Sequence, residues 1–89
     1  MSMLGMDTDA VRQLAAKFSS SAEEIRSLMN SLNSSIHGVQ WVGSDRNQFV
    51  ESWDGQHMSQ LRQVAEALDS AASSARNNAT QQDQASSAA

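Results

Sequence analysis

The sequence predicts an all-α fold: a helix-turn-helix hairpin of two long antiparallel helices that pairs with a second hairpin as a four-helix bundle dimer. Three observations carry this. No proline interrupts the 89 residues, so nothing forces a helix to break. Apolar residues recur with a period near 3.5 in both halves. The tripeptide Trp41-Val42-Gly43, followed by Ser44 and Asp45, punctuates the middle of the chain. Valine and isoleucine, which favour strands, are scarce.

The first helix is expected over about 7–39. Asp7 can cap it by accepting a hydrogen bond from the first turn. Val11, Phe18, Ile25, Leu32 and Val39 then recur at every seventh position, and Leu4 extends the series backwards. Leu14 and Leu28 follow members of that series by three residues; Ala15, Ala22, Met29 and Ile36 follow by four. Such a stripe is built to pack along its length against other helices.

The turn is expected over 40–44. Gly43 can take the left-handed conformation that ends a helix. Ser44 can cap the next one, and Asp45 puts negative charge in its first turn, where it is favoured. The second helix is expected over about 44–76. Its stripe comprises Val50, Trp53, His57, Leu61, Val64, Leu68, Ala71, Ala72 and Ala75, flanked by Phe49, Met58 and Ala65. Gly55 interrupts it and marks a close contact or a bend. Large side chains give way to alanine after Leu68, so the partner surface there must approach closely or end. Residues 78–89 are small and polar and are expected to form a flexible tail.

Two packed helices leave much of these stripes uncovered, and a hairpin of this size cannot enclose a core alone. Dimerisation follows from that shortfall. The expected interface is Val11, Leu14, Phe18, Ile25, Leu28 and Leu32 on the first helix, with Val50, Trp53, Leu61, Val64 and Leu68 on the second.

Composition narrows the function. The net charge is -4, and no basic patch exists to neutralise phosphates, which argues against nucleic acid. No apolar run approaches the length of a membrane span. The N-terminus lacks the charged and apolar regions of a cleaved signal peptide. There is no cysteine, so thiolate chemistry and disulfides are out. His37 and His57 have no metal-ligand spacing, and the serine clusters 19–21 and 34–35 have no base beside them. No catalytic residue, cofactor site or metal site is expected. Trp53 falls on the packing stripe and reads as core. Trp41 lies at the hairpin tip, where it is either a plug over the turn or a recognition surface.

These residues resemble the WXG family of small proteins exported by the type VII (ESX) secretion systems of Gram-positive bacteria, actinobacteria above all. The resemblance rests on the length, the central Trp41 and Gly43, the aromatic start of the second arm (Phe49, Trp53) and the two heptad stripes. It implies export as a folded dimer, without a cleaved signal peptide, by a membrane machine driven by an ATPase, from a cytoplasmic pool. Many members carry a tyrosine followed four residues later by an acid, just after the second helix. The counterpart here is Ala79 to Asp83: the acid is present and the aromatic is missing. The resemblance therefore implies that this chain contributes Trp41 and Gly43, while a homologous partner contributes the tyrosine. A heterodimer is favoured over a homodimer on that account.

Two other functions compete with export. An intracellular adaptor or regulator would use the same stripe to bind a partner helix. A membrane-active effector would insert the stripe into lipid, and the shortage of lysine and arginine on the polar face argues against that.

Overall fold

The computed structural model describes residues 6–88, with side-chain detail through Ser87. Leu4 and Ala89 lie outside them. The chain is a two-armed helical rod measuring 68 × 16 × 15 Å. The first arm is α1, Thr8–Gly38. The second is α2, Ser44–Ser52, a π turn at Trp53–His57, and α3, Met58–Ala88. Among the described residues there is no strand.

Asp7 is the N-cap of α1, and its carboxylate accepts from the Ala10 amide at 3.1 Å. Asp9 in the first turn and His37 in the last complement the helix dipole. Val39 leaves the helix in an extended conformation (φ -73°, ψ 136°).

The centre of the hairpin is a line of small residues. Ala15, Ala22, Ala65, Ala72 and Ala79 are almost wholly buried, as are Met29 and Trp53. On each arm the alanines recur every seven residues. Three polar contacts set their register: Arg12 to Asp83 at 2.5 Å, Arg76 to Ser19 at 3.1 Å, and Arg26 to Asp69 at 2.5 Å. Each step of seven along α1 is a step of seven back along α3. This register brings Ala15, Ala22 and Met29 level with Ala79, Ala72 and Ala65. Alanine facing alanine allows the helix axes to approach closely, and the close backbone contacts between the arms are between α1 and α3.

The second arm is not one uninterrupted α-helix, and it does not end near Arg76. It continues through residues 78–88 because Ala79 extends the buried line and Asp83 finds Arg12. Asn78, Thr80 and Gln81 occupy its solvent side.

The turn also differs from a tight hairpin. The hydrogen bond between His37 and Asp54, 3.1 Å long, sets the end of α1 level with the π turn. All of α2 therefore lies beyond α1, and Val39–Gly43 is the non-helical segment that spans this overhang. Gly43, and not Ser44, is the residue that caps α2. Its φ of 123° and ψ of 178° belong to a region that only glycine occupies without strain. A left-handed helix terminator was expected; a glycine-only extended corner is present. Its carbonyl accepts from the Asn47 amide at 3.2 Å.

Candidate interaction site

The π turn decides which side chains the second arm presents. Counted back from Met58, an ordinary α-helix would turn Asp54 and Glu51 toward α1. The π turn inserts one residue, closed by the Met58 amide bonding to the Trp53 carbonyl. The preceding segment is thereby rotated by about 100°, the angle per residue. Trp53 and Val50 take the inward positions, and Asp54 and Glu51 face solvent. Trp53 is 8% exposed, and its indole N–H donates to Asn33 Oδ1 at 3.1 Å. Gly55 lies inside this turn, and a Cβ there would meet nothing within 4 Å. It marks the π turn and not a close approach. His57 is carried to an exposed position, away from the packed stripe expected for it.

The tip is apolar and partly open. The Trp41 and Phe49 rings lie 5.6 Å apart with planes at 51°, within the range of favourable tilted aromatic pairs. Trp41 is nevertheless 40% exposed, and Val42 beside it is 95% exposed. A crevice of about 320 Å³ lies between the arms at this end, lined by Ser35, Ile36, Val39, Trp41 and Phe49. Trp41 is thus neither fully a plug nor fully free: one part packs on Phe49 and the rest is open to solvent.

The remaining stripe residues fall on one side of the rod. On α1, Arg12, Ser19 and Arg26 flank the alanine line on one edge and pair with α3. Val11, Phe18, Ile25 and Leu32, with Leu14 and Leu28, flank it on the other. On α3 the corresponding residues are Leu61, Val64 and Leu68, then Ala71 and Ala75. One edge of the hairpin is locked by ion pairs, and the opposite edge is an uncovered apolar face. Leu28 is 60% exposed and Val64 50%; Val11, Phe18, Ile25, Val50, Leu61 and Leu68 are half-buried. Trp53 departs from its expected place on the dimer interface, since its own hairpin buries it.

Ala79 and Asp83, the counterparts of a tail signal, are both used within the hairpin. Ala79 is fully buried against α1. The Asp83 carboxyl is held below the ordinary aspartate range, first by its hydrogen bond from Arg12, then by one from Thr8 and by the Arg12 charge. Among the described residues no group of three or more His, Cys, Asp or Glu side chains could hold a metal ion, and no helix is long and apolar enough to cross a membrane.

A family model described as "Proteins of 100 residues with WXG" matches residues 3–85. The chain belongs to the WXG100 family. The match runs through both arms and includes the Trp41-Val42-Gly43 corner. No curated protein and no solved structure gives a significant match. WXG100 membership makes this a small protein of the kind that type VII secretion systems export. It agrees with the all-helical hairpin described above. WXG100 proteins typically pair with partners of their own kind.

Of the buried alanine line, Ala15, Ala22 and Ala72 belong to the apolar stripes that the sequence predicts, while Ala65 and Ala79 do not. Sequence pattern alone sets Ala65 on a flank and Ala79 in a tail, because alanine carries little weight in a hydrophobic pattern. The signal that finds them is the spacing Ala15-Ala22 against Ala65-Ala72-Ala79, a heptad of small residues on both arms.

Proposed function

We propose that this protein acts without catalysis, through protein–protein contacts, as one half of a folded pair carried out of the cytoplasm by a type VII machine. The single observation that carries the reading is the uncovered apolar face on one edge of a hairpin whose other edge is closed by ion pairs. A surface of this kind needs a second hairpin. Trp41 and Gly43 serve as the recognition corner. Gly43 holds the chain in its glycine-only conformation and Trp41 stands half open over the crevice. Ala79 and Asp83 close the rod and do not form a complete export signal, so the aromatic tail comes from a homologous partner.

Co-expression with a WXG-type protein that carries a tyrosine tail tests this. The two chains are expected to co-purify, and Trp41→Ala is expected to leave the pair intact while lowering its export. Export at the wild-type level with Trp41 removed contradicts the assignment of the corner. A pair that forms but is retained in every strain points instead to an intracellular adaptor.

A further inference from the structure

We propose that the ladder of charged and polar side chains on the locked edge selects the register of the hairpin, and that the register sets how far the Trp41 corner stands beyond α1.

The alanine seam by itself does not choose a register. Its members repeat every seven residues on both arms, so a slip of one heptad fills it as well as the native fit. In the native register Ala15, Ala22 and Met29 lie level with Ala79, Ala72 and Ala65. One heptad nearer the turn they meet Ala72, Ala65 and Met58. Alanine again faces alanine, and methionine faces methionine. Chain length closes off the opposite slip. It would stretch the gap from Gly38 to Ser44 from about 14 Å to about 24 Å, whereas a fully extended chain covers at most about 22 Å over that stretch.

The ladder does choose. On α3, Arg62, Asp69, Arg76 and Asp83 stand at seven-residue intervals and alternate in sign. Arg26 bonds Asp69 and Arg12 bonds Asp83, each at 2.5 Å, and Arg76 donates to the neutral Ser19 at 3.1 Å. The next step of seven sets Arg62 level with the neutral Asn33. Each cation of this edge thus faces an anion or a neutral side chain of the other arm. The one-heptad slip sets Arg12 against Arg76 and Arg26 against Arg62. It replaces two ion pairs by two like-charge contacts, an arrangement that penalises the alternative state. Asp9 and Glu23 also lie against Arg12 and Arg26, at 4.0 and 3.2 Å. They sit on α1 and travel with it, so they favour neither register.

The consequence lies at the tip. A slip of seven residues moves the second arm along the first by about 10 Å, at about 1.5 Å per residue. α1 would then run beside most of α2. The hydrogen bonds from Trp53 to Asn33 and between His37 and Asp54 would be lost. The crevice lined by Ile36, Trp41 and Phe49 depends on the native register. Charges along the middle and open end of the rod therefore hold the shape of the corner from a distance.

The chain has no cysteine, so Ser20→Cys with Gln60→Cys, both at exposed positions, accepts a pair of spin labels. Double electron–electron resonance, with labelled chain diluted in unlabelled chain, reads their separation within one hairpin. Along the rod the two sites are offset by about 21 Å in the native register and about 10 Å after the slip. Arg12→Glu with Arg26→Glu sets acids against Asp83 and Asp69 in the native register, and against Arg76 and Arg62 in the slipped one. The measured distance is expected to shorten by about 5–10 Å, the axial step combined with the fixed width of the rod. Arg62→Asp with Arg76→Asp breaks no native ion pair, and it offers Arg12 and Arg26 an acid in both registers. Here a second, shorter distance is expected beside the native one. The native distance alone in that variant overturns the proposal, whether or not the reversed variant folds, and assigns the register to the contacts at the tip. An unchanged distance in a folded reversed variant overturns it as well. Neither measurement involves export or a partner, so the proposed function stands or falls separately.

Discussion

Replacing Ala72 by leucine tests whether the alanine line holds the hairpin together. Ala72 is 1% exposed, and the register sets it level with Ala22, which is 0% exposed. Three added carbons have no room there unless the helices move apart. Overpacking of this kind costs about 1–3 kcal/mol. Leucine and alanine differ little in helix propensity, so a loss of stability cannot come from the helix itself. For a domain of this size each kcal/mol corresponds to about 4–8 °C in melting temperature, giving an expected fall of about 4–24 °C. The measurement is thermal melting by far-UV circular dichroism at several matched protein concentrations, which separates pairing from folding. Ala16→Leu, on an exposed position of α1, is the control and should melt close to wild type. An Ala72→Leu protein that melts at or above the wild-type temperature refutes the close-packed seam.

Other perturbations probe the remaining parts. Gly43→Ala meets no steric obstacle in space, so its expected loss of about 1–3 kcal/mol comes from backbone strain alone; chemical denaturation measures it, and a neutral result contradicts the glycine-only corner. Deleting Gly55 removes the extra residue of the π turn and should drive Glu51 and Asp54 toward α1. In a Trp41→Phe background the emission of Trp53 should then shift to the red, and an unchanged spectrum would show that the π turn does not set the phase. The depressed Asp83 ionisation implies a contribution to stability that is fully present at neutral pH. It is lost as pH falls through the lowered Asp83 pKa, beneath the ordinary aspartate range. An NMR titration of the Asp83 carboxyl should show that low midpoint, and Arg12→Ala should move it back toward the ordinary value.

The helical class was legible because the signals for it are redundant: no proline, heptads in both arms, and a capping aspartate before Thr8. The apolar face was legible for the same reason, since Leu14, Leu28 and Leu32 sit in an unbroken period. What could not be read was the division of labour among those residues. A heptad pattern says that a stripe is apolar, and not which part faces the neighbouring arm and which part faces a second hairpin. Here small residues took the inner line and left the larger ones uncovered. The π turn was hidden for a different reason. It is fixed by the tertiary benefit of burying Trp53 and exposing Asp54 and Glu51, and local propensity carries no trace of that comparison. The helical end of α3 was missed because residues 78–88 lack large apolar groups. Ala79 against α1 and Asp83 against Arg12 hold it instead.

The central claim is that this hairpin is cargo for a type VII machine, recognised at the Trp41-Gly43 corner. Its most direct test is the fraction of the chain found in culture supernatant, measured beside a cytoplasmic marker, in a host with and without the secretion ATPase. The account predicts accumulation outside the cell that disappears when the ATPase is removed. Equal supernatant fractions in the two strains, or full retention in both when a tyrosine-bearing partner is co-expressed, would contradict it.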